Sequence, residues 1–545
     1  MRAEEGAGGI AARAAGAVGA AVSEAAAGAM GGTADRSASP PAHDTRVTRE
    51  VNESVWAVWW PLIALTLLAA LLRFTTLGSQ SLWYDEAFTP VHVLRSGLGT
   101  TLHNMVHSEN TPPLWYVLEW GMTRVLGEGA VALRLLSALA GVATVPVAWA
   151  IGRELQGSPT RRAALVGAAL VTTCPLFVWY SQEARAYGLF VLLAALAFLC
   201  FLRALSDPTG RRMVAFATTA SLALLTHYFA VFLLAPMIVW LLWVHRARAL
   251  LAIVPPILVG AALIPLIVAQ GGHGTQWIGE WELASRLEAI PQYYLTGYTG
   301  STLGHGVELL MGVVALTGVV YGLWRALTPR EERGALTALI VAGCGVGIPI
   351  VLALGGADYL APRNLVAAMV PVSALLAVVI AARRTGRVGM ALGGVLAAGF
   401  LALTIDVALS PRLQRGDWKG VANVLRATPR ASSSGNPTAR AIVTVELGAA
   451  PLEYYLPPLH NLAPGARVAV SEVDEVGYAP LLVSAGRPPA PGFHFLERRN
   501  VHGLWVYRFI SSVPVRIAEL RLREQTITPA PHPEVLVPSA KEKTA

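Results

Sequence analysis

The stretch PPLWYVLEWGMTRVL, residues 112–126, decides how the rest of the chain is threaded. It is apolar, yet shorter than the roughly 17–25 residues a membrane span needs, and it carries Glu119 and Arg124. Around it lie eleven apolar segments: 55–77, 131–151, 163–180, 187–204, 214–226, 229–243, 250–269, 307–327, 335–355, 365–382 and 388–409, of which the fifth and sixth are short and joined by a tight turn. If 112–126 crosses the bilayer, the basic clusters Arg153/Arg161/Arg162, Arg203/Arg211/Arg212 and His245/Arg246/Arg248 fall outside. If it lies flat at the outer interface as an amphipathic helix, all of them fall inside. Arg325, Arg330, Arg333, Arg383, Arg384 and Arg387 then join them. Cytoplasmic loops carry the excess of Lys and Arg, so the interface placement is expected.

Composition agrees with a membrane protein. Of 545 residues, 54% are hydrophobic and only 14% charged, against about a quarter charged in soluble domains. Mean hydropathy is +0.52. The expected class is mainly α: a polytopic transmembrane helical bundle of about eleven spans, with a small extracytoplasmic α/β domain at the C-terminus. The net charge of +8 reports loop arginines, and no nucleic-acid motif is present. Cys174, Cys200 and Cys344 all sit in apolar segments, without disulfide or metal spacing.

Three regions follow. Residues 1–50, rich in Ala, Gly and Ser, read as a disordered cytoplasmic tail ahead of the first span. Residues 51–409 form the membrane module, with outer loops at 78–128 and 270–305. Residues 410–545 read as a soluble domain: an amphipathic helix at 416–426, then β-rich runs at 441–447, 468–473, 481–484 and 504–510. A Pro-rich, loose tail is expected from about Thr526.

With that topology the unusual polar residues return to one plane. Asp85 and Glu86 lie in the first outer loop, within SLWYDEAF. His103, His107 and Glu109 follow in the same loop. Glu183, Arg185 and Tyr187 close the hairpin SQEARAY, and His227 and Tyr228 the turn THY. Trp277, Glu280, Trp281 and three tyrosines occupy 270–305, and Asp358, Tyr359, Arg363 and Asn364 form a further outer turn. Ionisable groups near a bilayer are costly and mark function. A plane of acids, imidazoles, guanidinium groups and aromatics suits a lipid-linked substrate, whose tail stays in the bilayer while its head group lies at the interface. The fitting chemistry is substitution at a sugar carbon with a phosphate leaving group. A carboxylate takes the acceptor hydroxyl proton, and cations steady the departing phosphate.

SLWYDEAF, HSENTPPLWYVLEW, ALRLLSALAGVATVPVAWAIGREL, VWYSQEARAYGLFVLLA and LTHYFAVFLL, in that order over about residues 55–270, resemble the bacterial GT-C glycosyltransferases of the protein-mannosyltransferase-like group, family 39. Beyond residue 300 only the 359–364 turn and QRGDWKGVANVL (414–425) are similar. The resemblance implies a polyprenyl-phosphate sugar donor and a catalytic aspartate in the first outer loop, here Asp85 with Glu86 beside it. The aminoarabinose-transferring branch has a Lys before its Pro-Pro pair. Here that position is Thr111, so Arg185, His227 or Arg363 must supply the charge.

Each residue also has a plainer reading. Asp85 and Glu86 could be a solvated loop pair or a helix cap, and His107 a solvated loop histidine. Glu183 and Arg185 could pair with each other, His227 could bond backbone at its turn, and Arg363 could pair with Asp358. Tyr187, Tyr228 and Trp83 also suit an interfacial aromatic belt, and Arg134 a structural role. Asp85, Glu183 and His227 would suit a divalent ion if they converged, but no cofactor is implied by spacing. The acceptor, whether glycan, lipid or protein, is not legible. A transporter or flippase of a lipid-linked glycan is the alternative, although such proteins place their ionisable groups near the midplane.

Overall fold

The computed structural model describes residues 55–538, except 158–160, 274, 427–439, 457, 480, 483–486, 525–526 and 529–531. The expected tail at 1–50 lies outside them.

The first helix, α1 (Val55–Phe74), leads into a cap of short elements: α2 (Tyr84–Phe88), α3 (Leu98–Ser108) and α4 (Leu114–Leu126). At about 1.5 Å per residue, α4 is roughly 20 Å long, short of the roughly 30 Å hydrocarbon core. Leu114 N–H donates to Leu225 O (2.9 Å), and Gly129 then caps α5 (Ala130–Gln156), whose first turns hold Arg134. Both ends of α4 are thus at the same end of the bundle, where it lies across the helices.

Among the described residues seven helical runs are long and apolar enough to cross a membrane, or eight with one bent pair. That pair is α6 (Arg162–Thr173) and α7 (Pro175–Ser181), which meet at 56°. Pro175 cannot donate to the turn before it, so the chain breaks at Cys174 and α7 turns Trp179 and Tyr180 towards the bundle end. α8 (Tyr187–Ser206), α9 (Gly210–Leu224), α10 (Ala230–His245) and α11 (Leu250–Ala269) follow. Next come the short α12 (Gln276–Glu280), α13 (Leu283–Thr296), and α14 (His305–Trp324). α15 (Pro329–Leu354) starts sharply: Thr328 and Glu331 form a reciprocal capping box with Pro329 in the first turn. A 3-10 turn (Pro362–Ala368) runs into α16 (Met369–Ile380), and α17 (Gly386–Leu409) is the last apolar helix. In α1 the apolar stretch Trp59–Phe74 falls short of that length, and α9 has only 15 residues.

After α17 comes α18 (Trp418–Arg426), within the expected 416–426. It buries Trp418, Val421, Ala422 and Leu425, the i, i+3, i+4, i+7 stripe of an amphipathic helix. A six-stranded sheet follows, in the order β2-β6-β1-β3-β5-β4. The strands are β1 (Arg440–Thr444), β2 (Leu459–Asn461), β3 (Arg467–Tyr478), β4 (His494–Val501), β5 (Leu504–Ala518) and β6 (Glu534–Pro538), with α19 (Ala449–Tyr455) after β1 and α20 (Glu519–Arg523) after β5. Among the described residues only β1 and β3 pair parallel. β3 and β5 run well beyond the expected 468–473 and 504–510. Of the expected run at 481–484, residues 481 and 482 form no strand and 483–484 lie outside the described residues.

The expected loose tail requires a correction. Ile527 and Thr528 are buried, and β6 is an interior strand between β2 and β1. Val535, Leu536 and Val537 supply its apolar content, while the surrounding prolines gave the stretch the look of coil. Alternate residues face opposite sides of a strand. Ala441 and Val443 therefore join one core, while Ile442, Val476, Val506 and Leu536 pack with Trp418, Leu452 and, from the first loop, Trp83. That second core ties the sheet to the segment carrying Asp85.

Candidate active site

A cavity of about 930 Å³ opens at the end of the bundle where α2, the end of α3 and the sheet meet. Asp85, Glu109, Arg185, Trp277, Tyr298 and Arg363 line it on the helical side, and Glu446, Tyr478 and His532 on the sheet side. It is large enough for a drug-sized ligand and, with its mix of aromatic and charged walls, has the character of a binding site.

Asp85 and Glu86 part company here. Consecutive helical residues point about 100° apart, and α2 turns Asp85 to the cavity and Glu86 inwards. Arg363 Nη1 donates to Asp85 Oδ2 at 2.6 Å, and its guanidinium also lies 4.8 Å over the Trp277 ring. Glu86 is fully buried, and Arg134 grips it through Nε and Nη2, each 2.6 Å from a carboxylate oxygen. Ala184 N–H adds a third bond at 2.9 Å. Burial alone would raise the Glu86 pKa, but Arg134 and Arg415 hold it below the usual carboxylate range. Glu86 does not line the cavity. Arg134 spends its other donors on the carbonyls of Leu77, Gln80 and Ser81.

Arg185 forms a two-bond pair with Glu109 (2.8 and 2.9 Å) at the cavity wall. It does not pair with Glu183, which is buried beneath it on Arg415 Nη2 (3.1 Å). Burial pushes the Glu183 carboxyl up to about 7 despite Arg415.

His227 is 5% exposed and stacks on Phe190 (4.6 Å), and its Nδ1 accepts from Phe229 N–H (3.2 Å). Burial first, then Arg363 and Arg185, bring its pKa down to about 3. The ring is neutral at pH 7 and offers no charge to a phosphate. Tyr187 packs on Tyr180 (4.8 Å) and His227 (5.7 Å). Tyr228 Oη donates to Gln270 Oε1 (2.7 Å). His107 stands on the open side of α3, its Nδ1 2.7 Å from His103 O, and does not line the cavity. Of the sequence candidates, the structure therefore brings Asp85, Arg185 and Arg363 together at the cavity and puts the others behind or beside it.

The expected Asp358–Arg363 alternative does not form. Asp358 is taken by Arg286 in a two-bond pair (2.7 and 2.6 Å), and Arg286 also donates to Leu360 O. This fixes the turn presenting Arg363. Sequence reasoning gave no role to Arg286 or Arg415, and left Tyr298 as one of the three tyrosines of the 270–305 loop. Tyr298 stacks on Trp179 (5.2 Å) and meets Trp83 and Tyr293 edge-on; its place in an outer loop gave no hint of that centrality. Asp85, Glu183 and His227 have separate partners. Among the described residues no group of three or more His, Cys, Asp or Glu is arranged to hold a metal ion.

The described residues thus form a helical bundle with a carboxylate and two guanidinium groups lining a cavity at one end, beside a small sheet. Residues 110–270 match the family profile described as dolichyl-phosphate-mannose-protein mannosyltransferase. The fold matches ArnT from Cupriavidus metallidurans bound to undecaprenyl phosphate, with TM-score 0.51, 14% identity, and coverage of 84% of this chain and 98% of that one. ArnT from the same organism in the apo state matches at the same score and identity, covering 83% and 98%. No curated protein sequence matches the chain. Over residues 110–270 the chain is similar to that family, and its fold is similar to that of ArnT.

Proposed function

We propose that the chain transfers a sugar from a polyprenyl-phosphate donor to an acceptor hydroxyl at the extracytoplasmic face of the membrane, with inversion at the sugar carbon. The observation that carries this is Asp85 at the cavity wall, 2.6 Å from Arg363 and with Arg185 Nη1 3.4 Å from its backbone carbonyl. Asp85 is the general base. Arg363, and Arg185 beside it, attract the donor phosphate and stabilise the charge it gains on leaving. The undecaprenyl phosphate bound by ArnT supports a polyprenyl-phosphate partner here. The N-terminus is cytoplasmic and the sheet extracytoplasmic in this reading, and the acceptor carries a free hydroxyl.

Glu86 is left out of the base role because Arg134 occupies both its oxygens, and His227 out of phosphate binding because it is neutral. The ionisable groups that line the cavity lie at one end of the bundle rather than at its midplane, which favours transfer over transport. The test is Asp85→Asn in membranes supplied with a panel of undecaprenyl-phosphate sugars, with products identified by mass. Transfer should fall by about 10²–10⁴-fold, the range of general-base catalysis. Undiminished transfer at equal protein level would remove Asp85 from the mechanism.

A further inference from the structure

The motif QRGDW, Gln414–Trp418, follows the last apolar helix, and the catalytic reading gives it no task. Every residue in it has a separate contact. Gln414 Nε2 donates to Ala408 O (2.7 Å), tying the motif to the end of α17. Asp417 Oδ1 accepts from Ser81 Oγ (2.7 Å) and Gly420 N–H (2.9 Å), so one carboxylate caps α18 and holds the first loop. Trp418 is fully buried in the core it shares with Trp83. At Gly416 a Cβ would stand 2.3 Å from Tyr478 Oη, so a side chain there would displace a residue of the cavity wall.

Arg415 is the centre of the motif. It is buried, its N–H donates to Gln80 Oε1 (3.1 Å), and its guanidinium reaches Glu183 (3.1 Å), Gln182 O (3.2 Å) and, at 3.7 Å, Glu86. The same group lies 4.3 Å over the Trp179 ring. Arg134, Glu86, Arg415 and Glu183 thus make a buried cluster of two cations and two anions. They come from four separate parts of the chain. Glu86 is the neighbour of Asp85 on a helix of one turn, so whatever fixes Glu86 also fixes the direction in which Asp85 points.

We propose that Arg415 is a positioning residue: by bridging Glu183 and Glu86 it locks the Asp85 loop, and so makes transfer depend on the segment that attaches the sheet. For turnover this rests on the general-base reading of Asp85; for loop order it stands on its own. Arg415→Gln alone strands Glu183 as a buried unpaired acid and can fail to fold. The double variant Arg415→Gln/Glu183→Gln removes both charges and preserves neutrality.

The test uses the full chain in detergent, with the wild type as the reference. Hydrogen exchange over residues 80–88 should be at least about tenfold faster in the double variant than in the reference, while α14 and α15 exchange unchanged. With the undecaprenyl-phosphate sugar that the wild type uses, kcat should fall at least about tenfold while KM for that donor stays within about twofold. Unchanged exchange at 80–88 overturns the clamp whether or not the chain transfers sugar. Faster exchange with an unchanged kcat overturns the link to catalysis. If the wild type transfers no sugar from any donor in the panel, the base reading of Asp85 fails, and exchange still decides the clamp.

Discussion

The two ends of the helical bundle use arginine in opposite ways. At the end away from the cavity, Arg203 pairs with Glu154 and Arg212 with Asp207, with side chains between 34% and 50% exposed. Arg162 and Arg325 donate there to helix-terminal carbonyls near residues 383–386. At the cavity end the side chains of Arg134, Arg286 and Arg415 are each 2% exposed or less, and each is matched to a carboxylate. Exposed pairs contribute little and report mainly which side of the membrane they prefer. Buried pairs are expensive to desolvate and strongly destabilising to break. The same residue type is a topological label at one end and a construction material at the other.

Breaking a buried pair should give the largest effect on stability. Arg134→Met leaves buried Glu86 with only the more distant Arg415, at 3.7 Å, and should cost about 3–5 kcal/mol, read as a loss of folded protein in detergent. Arg134→Met/Glu86→Leu should recover much of it, whereas equal loss in both would mean that the carbonyl contacts of Arg134 dominate. Arg363→Gln should act on function instead. Losing a charge-assisted contact of about 1.5–3 kcal/mol should weaken donor use by roughly 10–200-fold in kcat/KM, with melting changed far less than by Arg134→Met.

Glu183 should set a smaller, pH-dependent effect. Its carboxyl is held up at about 7 against an ordinary value of 4.5, so the folded chain binds that proton more tightly than the unfolded one. Stability from this group is complete below about 4.5 and is lost as pH rises through about 7. Glu183→Gln should flatten the melting temperature over that window; an unaltered slope would assign it elsewhere. At the far end, Arg203→Gln should change stability by less than about 1 kcal/mol. A larger loss would erase the contrast between the two ends.

Much of this contrast was readable in the sequence because it rests on spacing and charge sign. The arginine clusters fixed the placement of 112–126, and the i, i+3, i+4, i+7 pattern at 418–425 identified its helix. Burial and pairing were not readable. Asp85 and Glu86 are adjacent and chemically alike, and only the one-turn helix beneath them sends one to the cavity and the other to Arg134. Glu183 and Arg185 looked like partners at their hairpin, yet each found a better-placed ion from more than 70 positions away, Arg415 and Glu109. Strand β6 was hidden by its prolines, since its place depends on β1 and β2 rather than on local propensity.

The strand order has a consequence for biosynthesis. β6, the last strand in the described chain, fills the gap between β1 and β2, so the edge of β1 stays open until residues 534–538 have left the ribosome. The Asp85 loop, made more than four hundred residues earlier, must wait for that closure before Trp83 gains its full set of neighbours. A nascent chain would therefore carry the Asp85 carboxylate long before it is set in place, and the core around Trp83 would be complete only once residues 534–538 had emerged.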